Sequence, residues 1–204
     1  PYSASKGMAE LAIRSYIESY FNNEENSNIR VGITRAGNVI GGGDWAEDRI
    51  VPDCMKAWAK GDVVDIRSPH ATRPWQHVLE PLNAYLLLGS KLYNDSTFHG
   101  EAYNFGPSAT QNFSVSALIT EMSKYWNSIR WNDVSKNNFS KHEAGLLKLN
   151  CDKALHDLNW TPVLNFQKTV EMTVKWYKYY YEKEGRSMKD FSLKQIDQYE
   201  KLAL

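Results

Sequence analysis

Tyr2 and Lys6 stand four residues apart at the start of the chain. If this segment is helical, the spacing places both side chains on one face, one turn apart. An ammonium group beside a phenol favours the phenolate, which equips the tyrosine to take or give a proton. Oxidation of an alcohol by hydride transfer needs such a group, because the hydroxyl loses its proton as the hydride leaves carbon. The alternative is two ordinary neighbours on a solvated helix, and the pair alone favours that interpretation.

A glycine-rich loop follows a predicted strand. Residues 29–34 are rich in β-branched side chains and nearly continuous in hydrophobicity, which is typical of a parallel strand buried on both faces. Gly41, Gly42 and Gly43 follow shortly, without the Gly-Lys-Ser/Thr of a Walker loop. Open α/β sheets bind ligands at loops like this one, at the carboxyl ends of their strands. The alternative interpretation is a surface turn.

The remaining chain alternates helical and strand patterns, which predicts an α/β fold. Ser3 or Ser5 is a candidate cap for a first helix that ends near residue 21. The other predicted elements are helices over residues 50–60, 79–92, 114–126, 152–158 and 166–181, and short strands over residues 63–66, 75–78, 101–105 and 129–131.

Composition narrows the class of protein. The chain has 24 basic and 24 acidic residues, so it carries no electrostatic footprint for nucleic acid. Its longest apolar runs are far too short to span a membrane. Cys54 and Cys151 fit no metal or disulfide pattern, which favours a reduced, cytoplasmic protein without a metal site.

The chain resembles the extended short-chain dehydrogenase/reductases that act on nucleotide sugars. The resemblance runs from Tyr2 to about Tyr181 and is carried by motifs in matching order and spacing: Tyr2–Lys6, Arg35–Gly41, Arg73–Val78 and Tyr103–Gly106. Within that family a second set of motifs is closest to the 4,6-dehydratases, with CDP-glucose as the implied substrate: Asn38–Trp45, Arg49–Asp53, Ser68–Ala71, Arg73–Leu82 and His142–Ala144.

The resemblance implies roles for the residues that match the family's catalytic motif. Tyr2 would remove the proton of the sugar 4-hydroxyl while a hydride passes to NAD. Lys6 would tune Tyr2 and hold the nicotinamide ribose, so that both residues are catalytic and cofactor-binding. Ala36 and Gly37 would bring backbone close to the nicotinamide. The new 4-ketone acidifies the C5 hydrogen, water is lost across C5 and C6, and the hydride returns to C6.

The resemblance also implies a set of substrate-binding residues. Asn38 would contact the sugar nucleotide, and Arg73 would pair with the diphosphate, a task that suits a bidentate guanidinium better than lysine. Arg49 and Arg67 are candidates for phosphate, ribose or cytosine contact, with solvated surface arginines as an equal alternative. His142 would reach the nucleotide or, alternatively, order its own loop.

The family's glycine-rich dinucleotide fingerprint belongs before Tyr2 and is not in this sequence. We therefore expect the carboxy-terminal part of a Rossmann-type parallel-sheet domain and a smaller α/β substrate-binding lobe. In this division, residues 1–48 are the remnant of the dinucleotide-binding domain, residues 49–185 are mainly the substrate lobe, and residues 186–204 are a tail.

Several functions are compatible with this sequence. The resemblance implies that the intact protein is a lyase and a homodimer through the Tyr2 and Lys6 helix, and that this chain alone is inactive. One alternative is a different nucleotide-sugar dehydratase or an epimerase. Another, from a different class, is a non-catalytic nucleotide-binding or assembly module.

Overall fold

A computed structural model describes residues 1–22, 28–127, 129–136, 148–182 and 187–203. Its helices are α1 (Tyr2–Tyr16), α2 (Ile50–Lys60), α3 (Leu79–Asn94), α4 (Val115–Met122), α5 (Asp152–Leu158), α6 (Phe166–Glu182) and α7 (Met188–Ala203). Its strands are β1 (Ile33–Ala36), β2 (Asn38–Ile40), β3 (Val64–Ile66), β4 (Thr72–Arg73), β5 (Trp75–His77), β6 (Ala102–Phe105), β7 (Phe113–Ser114) and β8 (Trp131–Asp133). A π-helical turn, Ile17–Phe21, continues α1.

The strands associate mainly in parallel, which confirms the predicted α/β class. β1 pairs with β6, β2 with β5 and β3 with β8, all parallel, whereas β4 and β7 are antiparallel. The side chain of Gln76 in β5 joins two of these pairs, because its amide nitrogen donates to Phe105 O at 2.9 Å. The carboxyl ends of β1 and β2 thus lie beside those of β6 and β5.

The first strand begins later than predicted. Residues 29–34 were expected to be extended, but the ladder with β6 starts at Ile33. Before that point the backbone of Val31 is already bonded: its N–H donates to Nδ1 of His99 at 2.9 Å, and its carbonyl accepts from Gly100 at 2.8 Å. These bonds take the place of ladder bonds at Val31, and at its other end the strand continues through Arg35 and Ala36, which pair with Asn104 and Phe105.

Capping residues set the helix ends where the sequence carries a strong local signal. Gly61 adopts a left-handed conformation (φ 76°) and terminates α2, as predicted. The side chain of Ser114 accepts a bond from Ala117 N at 3.1 Å and caps α4. The predicted cap of the first helix is wrong, because α1 already includes Ser3 and Ser5, and Ser5 Oγ donates back to the carbonyl of Tyr2 at 2.7 Å.

The larger core lies where α2, α4 and α6 meet. Each helix contributes apolar side chains three or four residues apart, the spacing that keeps them on one face. In α6 these are Phe166, Val170, Val174 and Tyr177, all of which are buried, while Tyr181 near the end of the helix is exposed. A smaller core lies between α3, β6 and α5, around Leu88, Phe105 and Leu158 among others.

The last helix docks on the body of the protein through a buried carboxylate. Glu80, at the start of α3, is 1% exposed and accepts backbone N–H bonds from Val163 (2.8 Å) and Leu164 (2.6 Å). Its other oxygen accepts from the hydroxyl of Tyr199 in α7 at 3.0 Å. Burial raises the pKa of Glu80 above its ordinary value, although these hydrogen bonds oppose the shift. Within the described residues, no helix is long and apolar enough to cross a membrane.

Candidate functional site

The predicted Tyr2 and Lys6 pair lies on one face of the first turns of α1. The Nζ atom of Lys6 is 5.6 Å from the centroid of the Tyr2 ring, within the range of a cation–π contact. The Tyr2 side chain is 76% exposed, so its hydroxyl is open to a ligand. The helical spacing predicted from the sequence is confirmed, and the catalytic role of the pair remains a prediction.

A bidentate ion pair fastens α1 to the sheet. Nε and Nη2 of Arg35, in β1, each lie 2.5 Å from a carboxylate oxygen of Glu10. A third bond runs from Nη1 of Arg35 to Oδ1 of Asn104 in β6 at 3.2 Å. The hydrogen bond from Arg35 holds the pKa of Glu10 below its ordinary value. This contact sets α1 beside the strand that ends at Ala36.

Ala36, Gly37 and Asn38 form the crossing from β1 to β2, and all three are half-buried. The N–H of Gly37 donates to Phe105 O at 3.3 Å, which continues the ladder with β6. A Cβ atom built on Gly37 would lie 3.1 Å from a methyl group of Leu149 and 3.2 Å from Pro74. Glycine is therefore favoured here by close packing of this chain's own side chains.

The glycine-rich loop is shaped by packing as well. A Cβ atom on Gly42 would lie 2.0 Å from the Cγ and Cδ2 atoms of Trp176 in α6, a distance that no side chain tolerates. A Cβ atom on Gly41 would lie 2.7 Å from Val78. Gly43 has a φ of 82°, in the left-handed region that favours glycine. The sequence left two explanations for the three glycines, a ligand-binding loop and a surface turn. The structure adds a third, which is close contact with α6.

Arg49 and Arg67 converge on the loop that follows these glycines. Nη1 of Arg49 lies 3.0 Å from Oδ2 of Asp44, and Nη2 of Arg67 lies 3.5 Å from Oδ1 of Asp48. Both arginine side chains are about three-fifths exposed. Their guanidinium groups are therefore accessible and are oriented by loop carboxylates, which the sequence analysis had not identified as part of the site.

Arg73 differs from the other two arginines in its environment. The residue is only 8% exposed, and its Nη1 donates to the carbonyl of Thr72 at 2.8 Å. It lies in β4, which pairs with β7 through Phe113. His142, the remaining predicted substrate contact, lies outside the described residues.

Neighbouring His77 is buried and bonded to the backbone of its own chain. It is 2% exposed, and its Nδ1 accepts from Leu79 N at 3.3 Å. Burial lowers the pKa of His77 to about 4, so the ring is neutral near pH 7. Over the described ranges, no group of three or more histidine, cysteine or acidic side chains is arranged to hold a metal ion.

Solved structures with the same fold define the class of protein. The UDP-glucuronic acid 4-epimerase of Bacillus cereus, solved with UDP-glucuronic acid and NAD, matches at a TM-score of 0.72 and 18% identity, over 88% of this chain and 53% of that one. The dTDP-glucose 4,6-dehydratase of Bacillus anthracis, solved with NAD, matches at a TM-score of 0.66 and 19% identity, over 87% and 52%. At these identities the likeness shows a Rossmann-type fold.

The sequence comparison is more specific. No protein-family model matches the chain. CDP-glucose 4,6-dehydratase of Salmonella typhimurium is 39% identical over 202 residues, which is 98% of this chain and 55% of the relative. The chain thus spans about half the length of the proteins it matches. Over that length its similarity is to the NAD-dependent epimerase/dehydratase family of short-chain dehydrogenases/reductases.

Proposed function

We propose that the intact protein is a nucleotide-sugar 4,6-dehydratase that converts CDP-glucose to CDP-4-keto-6-deoxyglucose. The observation that carries the proposal is the 39% identity to a CDP-glucose 4,6-dehydratase along 98% of the chain. The exposed Tyr2 hydroxyl, with the Lys6 ammonium beside its ring, supplies the proton-transfer group that this reaction requires. The epimerase fold is equally similar, so the fold alone does not separate the two reactions.

NAD is the cofactor we propose, and two features of the described residues support it. Tyr2 and Lys6 are open on α1, where Lys6 would hold the nicotinamide ribose, and Ala36 and Gly37 end the adjoining strand. When bound, NAD accepts a hydride from the sugar and later returns it. The Tyr2 phenolate takes the proton of the 4-hydroxyl, and the nearby ammonium stabilises the charge that the phenolate carries.

The substrate would lie across the carboxyl ends of β1 and β2. We assign Asn38 to the sugar nucleotide and Arg73 to the diphosphate, with Arg49 and Arg67 as further cationic contacts and His142 as a nucleotide contact. Two exposed guanidinium groups held by one loop suit a dianionic diphosphate, because each can form charge-assisted hydrogen bonds. We propose the division of the chain that was predicted from its sequence: a dinucleotide-binding part over residues 1–48, mainly a substrate lobe over residues 49–185, and a tail over residues 186–204.

We also propose a cytoplasmic homodimer formed through α1. The support for pairing is a set of large apolar side chains on this helix that are more than half exposed: Met8, Leu11, Tyr16 and, in the following turn, Tyr20. Cover by another part of the intact protein would explain the same exposure. Sedimentation of the intact protein as a monomer at micromolar concentration would contradict the dimer.

The test is turnover of defined nucleotide sugars by the intact protein. With CDP-glucose and NAD, we expect a 4-keto-6-deoxy product that absorbs strongly in alkali, with no net consumption of NAD. Parallel reactions with dTDP-glucose and UDP-glucose test which nucleotide base the enzyme accepts. Turnover of one of these two sugars without turnover of CDP-glucose would defeat the assignment of CDP-glucose. Formation of an epimer without the absorbing product would support the epimerase alternative.

The second candidate, a nucleotide-binding module, applies to the chain by itself. The observation that favours it is that the chain spans about half the length of its relatives. Calorimetry of this chain with CDP, in the presence and absence of NAD, separates the two functions. CDP binding that is unaffected by NAD supports the module, whereas binding that requires NAD supports a cofactor site within the chain.

A further inference from the structure

The side chain of Trp45, which is 38% exposed, packs against four aromatic residues of α6. Its ring centroid lies 4.8 Å from that of Tyr180, 5.4 Å from Tyr177, 6.2 Å from Tyr181 and 6.4 Å from Trp176. The contacts are tilted or edge-on, the geometries that aromatic pairs favour. We call these four residues of α6 the aromatic clamp.

The backbone of the loop is bonded to the same helix. The hydroxyl of Tyr177, a fully buried residue, donates to the carbonyl of Asp44 at 2.6 Å. Burial raises the pKa of Tyr177, so this hydroxyl stays protonated and remains a donor. Trp176 closes against Gly42 with no space for a side chain. The loop of residues 44–49 is thus fixed at its start by both backbone and side-chain contacts with α6.

The fixed loop controls the two exposed guanidinium groups of the proposed substrate site. Asp44 pairs with Arg49, and its Oδ1 also accepts from Ala46 N at 3.0 Å, which closes a turn within the loop. Asp48 pairs with Arg67. An arginine side chain held before the ligand arrives loses less entropy on binding than a free one. The position of α6 therefore determines how well the loop is organised for an anion.

We propose that Tyr177 and Trp176 are positioning residues for substrate binding: through the loop of residues 44–49 they hold Arg49 ready for the diphosphate of a nucleotide sugar. The inference rests on the proposed function, since it assumes that this loop meets the substrate. It extends that function to a helix more than 120 residues further along the chain, beyond every residue matched to a family motif.

The experiment compares two tyrosine variants of the intact protein. In Tyr177→Phe the ring stays in the clamp, and only the bond to the Asp44 carbonyl is lost. We expect KM for the nucleotide sugar to rise about five- to tenfold, the effect of one hydrogen bond, while kcat is unchanged. Tyr199→Phe is the matched control, because it removes another buried phenol bond, the one to Glu80, and among the described residues Tyr199 has no hydrogen bond to the loop.

A double-mutant cycle with Arg49→Ala tests whether Tyr177 acts through that arginine. If it does, Tyr177→Phe raises KM in the wild-type background and has little further effect in the Arg49→Ala background. A merely structural role would give the same KM increase in both backgrounds, which would overturn the proposal. An equal rise in KM in Tyr199→Phe would overturn it too, because it would reflect general destabilisation.

Hydrogen exchange of peptides covering residues 44–49 separates failure of this inference from failure of the proposed function. We expect faster exchange in Tyr177→Phe than in wild type or Tyr199→Phe. Unchanged exchange would overturn the inference whatever the enzyme turns over. Faster exchange in a protein that converts no nucleotide sugar would defeat the proposed function, and with it the assignment of a diphosphate to Arg49.

Discussion

The helix α1 and the loop of residues 44–49 carry the two halves of the proposed chemistry, and they are held to the rest of the protein by different contacts. No side chain of α1 from Tyr2 to Tyr16 is buried, and its bidentate bond to the sheet is the ion pair between Glu10 and Arg35. The loop contacts the aromatic clamp through the ring of Trp45, and its Asp44 carbonyl accepts a hydrogen bond from Tyr177. The groups proposed for proton transfer thus contribute little to folding, whereas the loop that carries the proposed substrate contact Arg49 is anchored to a buried residue of α6. Substitutions in the two regions should therefore separate activity from stability.

The largest expected effect is on activity and comes from a substitution in α1. Tyr2→Phe removes the proposed proton acceptor, so turnover by the intact protein should fall by about 10²- to 10⁴-fold. Nucleotide affinity, measured by calorimetry with CDP, and the melting temperature should stay close to wild type because Tyr2 is exposed. Tyr16→Phe, on the same helix and also exposed, is the control. Undiminished turnover in Tyr2→Phe would disprove the assignment of Tyr2.

The largest expected effect on stability comes from the contact between the glycine-rich loop and α6. Gly42→Ala places a methyl group 2.0 Å from ring carbons of Trp176, which forces the loop and α6 apart. We expect the free energy of unfolding to fall by about 1–3 kcal/mol, the usual result of overpacking. Urea denaturation of this chain, followed by tryptophan fluorescence, measures the change.

A glycine-to-alanine substitution in α1 should change the free energy of unfolding in the opposite direction. A Cβ atom on Gly7 meets no atom within 4 Å, and the residue lies inside the helix. Gly7→Ala should therefore raise the free energy of unfolding by about 0.5–1 kcal/mol through the lower entropy of the unfolded chain. A loss of stability in Gly7→Ala would show that α1 is covered in solution, and the contrast between the regions would fail.

An effect of similar size concerns the pH dependence of stability at Glu80. Its pKa in the folded protein is raised above the ordinary value of 4.5 by burial, so the folded state holds the proton more tightly than the unfolded state. The resulting stabilisation is fully present below pH 4.5 and is lost as the pH rises through the folded pKa. Glu80→Gln stays neutral and should remove this loss, with a change of about 1 kcal/mol relative to wild type.

The smallest expected effect is at Glu10, and its sign is opposite. The hydrogen bond from Arg35 lowers the pKa of Glu10, so the stabilisation is present above the ordinary value of 4.5 and is lost as the pH falls through the folded pKa. Glu10→Gln should cost less than about 1 kcal/mol at neutral pH, because the pair is partly exposed to solvent. Urea denaturation at a series of pH values measures the free energy of unfolding of both variants. If this free energy changes with pH by the same slope in Glu80→Gln and Glu10→Gln, both assignments are contradicted.

Local patterns were sufficient to predict much of the architecture. Helices α2 and α5 occupy the predicted residues, and Gly61 ends α2, because apolar spacing and a left-handed cap are properties of neighbouring residues. The spacing of Tyr2 and Lys6 likewise determined that they share a face of α1. Short strands were less predictable. β2 lay within a segment interpreted as loop, since three residues carry too little periodicity to be recognised.

The environment of the site was decided only by the tertiary structure. Asp44 and Tyr177 are 133 residues apart in sequence, and no local pattern relates them. Whether Gly42 served a ligand or a packing contact depended on the position of Trp176, and the exposure of Arg49 and burial of Arg73 depended on the strands and loops around them. Residue type and spacing determine which chemistry is available, whereas contacts between distant segments determine which groups are held, buried or left open to a substrate.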